Sequence, residues 1–392
     1  MALDDYHHGV RVSELTDGIR KAIRTITTNI IGLIATASDA DEDTFPLDTA
    51  TLVTNIQGVI GKAGKEGTLK KSLQAIVDQA NTTVIVVRVG TAETEAEQTS
   101  LVVGTTTAAG KFTGLKALLT AKMKFGANPR VLGAPGLDTQ PVATELVSIA
   151  QKVRGFAYAY AWGCETKEEV LAYKESFGDR ELMLLWPQFI HYNTDTSANE
   201  AISPVGYALG LRAKVDNLYG WHKVISNVAI NGVIGIDRDV WWDLQQTGTD
   251  ADLLNQNGIT TLIRQDGFRF WGSRTCDSTG DYPFEVSTRT AQILADTVAE
   301  AHMWAVDKPL HPSLGTDLLE GISAKLSDLT NQGYLMGGQA WYDETKNPVE
   351  NLSAGKFRLS YDYGIVPPLE DLGFLQNQTD DYLADFGARI TA

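Results

Sequence analysis

An α/β fold is predicted for the longer first part of this chain, an α+β unit for the part that follows, and extended arms for both ends. Three observations carry that prediction. Apolar runs alternate with amphipathic helical patterns as far as residue 255, a hairpin and long helices replace that rhythm from residue 256, and each terminus carries a short alternating segment too poor in apolar residues to fold alone. The expected layout is an N-terminal arm at 1–20, an α/β layered domain at 21–255, an α+β domain at 256–380 and a C-terminal arm at 381–392. A chain of 392 residues exceeds one ordinary core, in keeping with two domains.

The strands of the first domain read as short, nearly continuous apolar runs, the pattern of strands covered on both faces. They are NIIGLIATA at 29–37, TVIVVRV at 83–89, RVLGAP at 130–135, GFAYAYAW at 155–162 and ELMLLW at 181–186. Between them, TLKKSLQAIVDQA places Leu69, Leu73, Ile76, Val77 and Ala80 on one helical face. The segment PVATELVSIAQKV does the same with Val142, Leu146, Ile149 and Val153, and Pro141 is well tolerated at a helix start. Right-handed crossovers then place helices on the faces of a largely parallel sheet. Two stretches break the pattern and read as surface loops: the acidic DADEDTFPLD at 39–48 and the Thr-, Ala-, Glu- and Gly-rich 90–112.

The second domain is expected to open with a hairpin in GITTLIRQDGFRFWGSRT. A helix follows with Ile293, Leu294, Val298 and Trp304 inward, then a second with Leu314, Leu318, Ile322, Leu326 and Leu329 on one face, ended by Gly333. Both spacings are those of core packing. The strand in GKFRLSYDYGIVPPLEDLGF stops at Pro367 and Pro368, which cannot donate to a ladder.

Composition narrows the function. A formal net charge of −16 opposes binding to a phosphate backbone, so DNA is not expected as a direct partner. No stretch reaches the roughly 18 apolar residues of a membrane helix, and MALDDYHHG has neither the basic nor the apolar part of a secretory signal, so assembly in the cytoplasm is expected. Cys164 and Cys276 lie far apart in sequence, form no metal or redox motif, and read as buried free thiols.

No reactive constellation emerges, so no enzyme activity and no cofactor are expected. GKAGKEGT at 61–68 and GTTTAAGKF at 104–112 both miss the Walker spacing, and the second has Phe112 where a magnesium-binding hydroxyl belongs. His7 and His8 lack the spacing partners of a metal site, while His191, His222, His302 and His311 are scattered. No GxSxG elbow nominates a serine nucleophile. Trp241 and Trp242 suit a buried aromatic contact or a subunit contact better than a sugar platform.

The two ends remain. His8, Val10 and Val12 fall on one side of an extended strand, and Tyr382, Ala384 and Phe386 do so if residues 381–387 extend. Neither face stabilises a strand by itself, which suggests strand addition to a host sheet; pairing within the subunit is the plainer alternative. The early YHHGVRVSEL at 6–15 and the block WGSRT at 271–275 resemble the YHPGVxVxE-like arm and WGxRT block of tail sheath proteins from contractile-tailed phages and R-type pyocins, with His8 standing where that pattern has Pro.

The resemblance spans most of the chain and implies a mechanical function. It implies a subunit that polymerises around an inner tail tube, with terminal arms inserted into neighbouring subunits, and contracts to drive the tube through a target envelope. The implied partners are copies of itself in stacked hexameric or similar rings, the inner tail tube protein, a baseplate and a tail terminator, with neither nucleic acid nor membrane insertion. It further implies an outer α/β domain and an inner, tube-facing C-terminal domain. Arg269 and Arg274 would meet acidic groups of the tube or of neighbours, or instead pair within their own domain. An α/β hydrolase, a carbohydrate-binding protein and a tail tube protein are the competing readings.

Overall fold

A computed structural model describes residues 23–383 and residue 390. The arm residues His8, Val10, Val12, Ala384 and Phe386, the side chain of Tyr382, and His7 lie outside the described residues.

The first part of the chain contains β1 (Ile31–Thr36), β2 (Ala50–Val53), α1 (Ile56–Val59), α2 (Leu69–Val77), β3 (Val84–Val89), α3 (Glu95–Val103), α4 (Ala121–Phe125), β4 (Val131–Gly133) and α5 (Gln140–Val153). It continues with β5 (Phe156–Tyr160), α6 (Lys167–Lys174), β6 (Leu182–Leu185), β7 (Phe189–Asn193), β8 (Ala198–Ile202), α7 (Val205–Leu218), β9 (Ala229–Ile230) and β10 (Gly235–Ile236). Next come α8 (Asp250–Gln256), β11 (Ile259–Arg264) and β12 (Phe268–Trp271). A nine-stranded sheet of order β2-β3-β1-β4-β5-β6-β11-β12-β9 forms the core, parallel from β3 to β11 and antiparallel at both margins. Every residue of β1, β3, β4, β5 and β6 is buried, which requires cover on both faces. Helices α2 and α7 pack on each other, with α7 also against β4 and β5, and α5 packs with α3 and against β4 and β5. Gly133 allows the close approach of α7, because a Cβ there would lie 2.7 Å from Val205. A small sheet, β10-β7-β8, is appended.

Three expectations are corrected. The hairpin expected to open the second domain is instead part of the large sheet: β11 runs parallel to β6, pairing Ile259 with Leu184 and Thr260 with Leu185. Hairpin periodicity reports strands, not the sheet they join. The acidic stretch 39–48 is a surface loop as expected but not an unpacked one, with Phe45 fully buried and the Asp39 carboxylate accepting the Lys65 and Glu66 amides at 2.7 and 3.0 Å. Within 90–112, Thr94 caps α3 and Val102 is buried, so only part of that stretch is an excursion.

The remaining elements are α9 (Glu285–Ala301), α10 (Pro312–Asn331), β13 (Leu335–Tyr342), α11 (Val349–Ser353) and β14 (Leu359–Ile365). They form a smaller core in which Ile293 and Leu294 of α9 meet Ile322, Leu326 and Leu329 of α10, together with Leu335 and Trp221. Tyr334 stacks on Trp221 at 4.4 Å between ring centroids. Trp304, expected inward, is about half exposed because α9 ends at Ala301 and the chain turns there.

Helix α9 joins the two cores because it is buried on two faces of opposite character. Ile293, Leu294 and Val298 face the small core. Glu285, Thr288, Arg289, Gln292 and Asp296 are also buried, and they face the α/β layer. Glu285 accepts from the Tyr158 hydroxyl of β5 at 2.6 Å and pairs with Arg212 of α7 at 3.3 Å. Arg289 grips Asp216 of α7, at 2.8 and 2.5 Å, and donates to the Thr28 carbonyl ahead of β1 at 3.2 Å. Gln292 donates to the Gly155 carbonyl at 2.9 Å. Asp296 pairs with Arg130 at 2.5 Å and with Arg154 at 2.7 Å. Burial opposes ionisation of Asp216, but Arg212 and Arg289 outweigh it and hold the carboxyl below its ordinary range.

Asp138, at the end of the loop after β4, is another fully buried carboxyl. It accepts the Tyr160 amide at 2.5 Å, and burial pushes its pKa up to about 7.

Replacing Arg289 by Ala leaves two buried carboxylates, Asp216 and Glu285, sharing Arg212 as their cation, so urea unfolding is expected to show a loss of about 3–5 kcal/mol. The raised Asp138 pKa means the folded state holds a proton that the unfolded state has released between pH 4 and 7. Stability therefore falls as pH rises through that window, by a total on the order of 4 kcal/mol. Asp138→Asn keeps the acceptor for Tyr160, and its unfolding free energy is expected to lack this slope.

Candidate assembly site

The WGSRT block occupies the seam between the large sheet and α9. Trp271 ends β12 and meets Trp242 edge-on, with ring centroids 5.5 Å apart. Gly272 follows at φ 132°, where a Cβ would lie 2.6 Å from Asn255 Oδ1 and 2.9 Å from Thr260 Cα. Glycine is thus required twice, for its backbone angle and for space. The Ser273 carbonyl accepts the Glu285 amide at 3.0 Å, which ties the block to the first residue of α9. Thr275 closes the 275–283 loop, its amide donating to Pro283 and its hydroxyl to the Tyr282 carbonyl at 2.7 Å. The Cys276 amide then returns to Leu182 of β6.

Both arginines singled out in the sequence are engaged by their own chain. Arg274 forms a two-pronged pair with Glu370, with contacts of 3.2 and 2.7 Å, and its guanidinium lies 5.5 Å from the Phe284 ring. The Ser273 hydroxyl adds a bond to the same carboxylate at 3.2 Å. Arg269 donates to the Gln265 and Asn227 carbonyls at 2.8 and 3.0 Å. Arg274 thus pairs within its own chain, while Arg269 reinforces the hairpin turn and the segment leading to β9.

Beyond the seam, β13 and β14 form a sheet of two strands among the described residues, with Gly338 opposite Tyr363 and Ala340 opposite Tyr361. Helix α10 packs against β13. Each strand therefore has one ladder edge without a partner strand among the described residues, and an isolated two-stranded sheet is marginal by itself. The chain leaves β14 as a segment with neither helix nor strand, in which Leu369, Leu372, Phe374 and Leu375 are all exposed, Leu375 completely. Exposed apolar side chains grouped in this way are a common feature of contact surfaces.

The GKAGKEGT loop spends two of its amides on Asp39. Both cysteines are free and buried, and burial raises the Cys164 thiol to about 11 and Cys276 to about 12, out of the reactive range. A groove of about 220 Å³ is lined by Glu165, Lys167, Trp186, Arg238 and Asp250, and Lys167 is already paired with Asp250. Trp241 is half exposed in the loop before α8. Among the described residues no three His, Cys, Asp or Glu side chains are grouped to hold a metal, and no helix is long and apolar enough to cross a membrane.

Sequence reading missed Glu370 and the polar stripe of α9. Glu370 carries no local signal, since its partners are almost a hundred residues away. The stripe did leave one: Glu285, Arg289, Gln292 and Asp296 recur at helical spacing, a pattern ordinarily assigned to a solvated face.

Comparison with known proteins agrees with this architecture. The chain's fold matches the sheath complex of an extracellular contractile injection system, PVC, in the contracted state, with a TM-score of 0.71, 19% identity and coverage of 97% of this chain and 99% of the other. The anti-feeding prophage helical sheath in its contracted state gives 0.71 at 16% identity, covering 95% and 99%. The fold is that of contractile sheath proteins.

Three family descriptions match in succession: "Tail sheath protein Gp18 domain III N-terminal region" at residues 28–89, "Phage tail sheath protein central domain" at 110–276 and "Phage tail sheath C-terminal domain" at 277–379. The change from the second to the third falls directly after Cys276, beyond the WGSRT block. The tail sheath protein of Escherichia phage P2 is 52% identical over the full length of both chains. The major tail sheath protein of Serratia phage KSP20 is 52% identical over 97% of each chain, and a putative prophage major tail sheath protein of Pseudomonas aeruginosa UCBPP-PA14 is 32% identical over 97% of this chain and 98% of the other. The chain belongs to the contractile phage tail sheath family, and these matches give no support to a hydrolase.

Gly272→Ala would force both a strained backbone angle and a collision with Thr260. A loss of about 3 kcal/mol in denaturant unfolding is expected, with the folded α/β core otherwise intact.

Proposed function

We propose that this chain is the structural subunit of a contractile tail sheath, in which copies polymerise around an inner tail tube and shorten to drive the tube through a cell envelope. The observation that carries the reading is the two-stranded β13–β14 sheet, whose edges have no partner strand among the described residues. In this reading the N-terminal arm, through His8, Val10 and Val12, and the C-terminal arm, through Tyr382, Ala384 and Phe386, add as strands to neighbours' sheets. Backbone ladder bonds would supply affinity and alternate side chains register. A strand given to one neighbour and taken from another is a heterologous contact, and such contacts propagate into rings and helices.

The work of contraction then derives from the free-energy difference between two packings of the same subunits. A few kcal/mol per subunit, the scale of a two-state equilibrium, becomes large over a long assembly. The α/β layer would lie outside and the smaller core inside, toward the tube. Stacked hexameric or similar rings, a baseplate and a tail terminator complete the proposed set of partners, with assembly in the bacterial cytoplasm and no catalytic step.

Deletion of residues 1–15 removes the proposed donor strand and leaves both cores. The truncated subunit is expected to stay folded and soluble by circular dichroism and gel filtration, yet form no tubes or rings in negative-stain electron microscopy. Tubes of normal appearance would sink the exchange of that arm.

A further inference from the structure

Between Val366 and Gln378 the chain has neither helix nor strand and is mostly exposed, and its hydrogen bonds to the rest of the described chain are made through one residue, Glu370. That carboxylate is held by three donors, Ser273 Oγ and the Nε and Nη2 of Arg274. The donors belong to the seam that also fixes the start of α9, so the anchor point is rigid. The attachment itself is half exposed, with Arg274 at 40% and Glu370 at 34% side-chain accessibility. An ion pair open to water is weakened by salt and contributes modestly, whereas buried pairs such as Arg289–Asp216 do not open while the subunit stays folded. The C-terminal segment is thus tied to a densely hydrogen-bonded part of the subunit by a releasable kind of bond.

We propose that the Arg274–Glu370 pair is a latch that sets the length of the C-terminal tether. With the latch closed, the segment is free only beyond Glu370. Opened, it is free from Val366, so that five more residues, about 17 Å of chain at full extension, can pivot about the end of β14. Leu369 lies inside that released length, so opening also frees an exposed apolar side chain to follow a moving neighbour. The latch gives the subunit two tether lengths without unfolding either core. Its consequence for sheath movement rests on the proposed exchange of the C-terminal arm, but the latch itself is a property of the single subunit.

The test uses the full chain at concentrations where it is monomeric, with spin labels on Lys356→Cys and Gln378→Cys; the buried Cys164 and Cys276 stay unlabelled. Distances between labels are measured by pulsed electron paramagnetic resonance. In low salt the parent should give a narrow distribution, and Glu370→Arg should give a broader one with a longer mean, at unchanged thermal stability. Combining Arg274→Glu with Glu370→Arg should narrow it again, and about 1 M salt should broaden the parent. A Glu370→Arg distribution equal to the parent's, together with no response to salt, overturns the latch. Failure of the latch and failure of arm exchange are separable: unchanged distances with assembly abolished by deleting residues 381–392 remove the first and keep the second. Broadened distances with normal tubes after that deletion do the reverse.

Discussion

A row of buried charges on one face of α9 is the constraint on which the rest of the subunit depends. Glu285, Arg289 and Asp296 are placed where a helix ordinarily presents hydrocarbon to its neighbour, and each is matched by an opposite charge from α7 or from the segments flanking β4 and α5. Ion pairs of this kind cost much of their attraction in desolvation, so their net contribution to stability is small. What they impose is geometry. A hydrocarbon face tolerates sliding, whereas a carboxylate gripped by a guanidinium has one satisfactory position. The two cores are therefore held in a fixed relation by polar contacts on one side of α9 and apolar contacts on the other.

That rigidity bears on mechanism. The seam at WGSRT and the following Cys276 adds backbone ties to β11, β6 and the start of α9 within six residues. If neighbouring subunits shift relative to one another, as a contractile sheath demands, the displacement falls on whatever is less firmly held than this junction. The segments that meet that description lie at the margins: the edges of β13 and β14 that have no partner strand among the described residues, and the exposed chain beyond Ile365. A stiff body with extensible connections converts a change in lattice packing into motion of whole subunits, with no unfolding step to dissipate it.

Much of the fold was legible beforehand because buried parallel strands and amphipathic helices declare themselves locally. The five apolar runs became β1, β3, β4, β5 and β6, and the helical faces of α2, α5 and α10 turned inward much as their spacing required. The hairpin 259–271 was visible as a hairpin, but its place in the large sheet was not, since pairing with Leu184 and Leu185 leaves no mark near Ile259. The acidic 39–48 loop misled for a related reason. Its charge is real, yet Phe45 packs into the core and Asp39 serves as the anion for a neighbouring loop's amides. At the assembly site the WGSRT block was marked by its composition, while Glu370 and the α9 stripe acquired meaning only from partners distant in sequence.

The sequence by itself determined most of the strands and helices and, through two short motifs, the family resemblance. All of these rest on periodicity or residue type within a window of a few turns, where the physics is local. Tertiary structure decided the sheet order, the glycine requirement at 272, the intra-chain use of Arg269 and Arg274, and the burial of charge along α9. Those outcomes depend on which distant groups come within hydrogen-bonding reach, and a side chain's own neighbours in sequence hold no record of that.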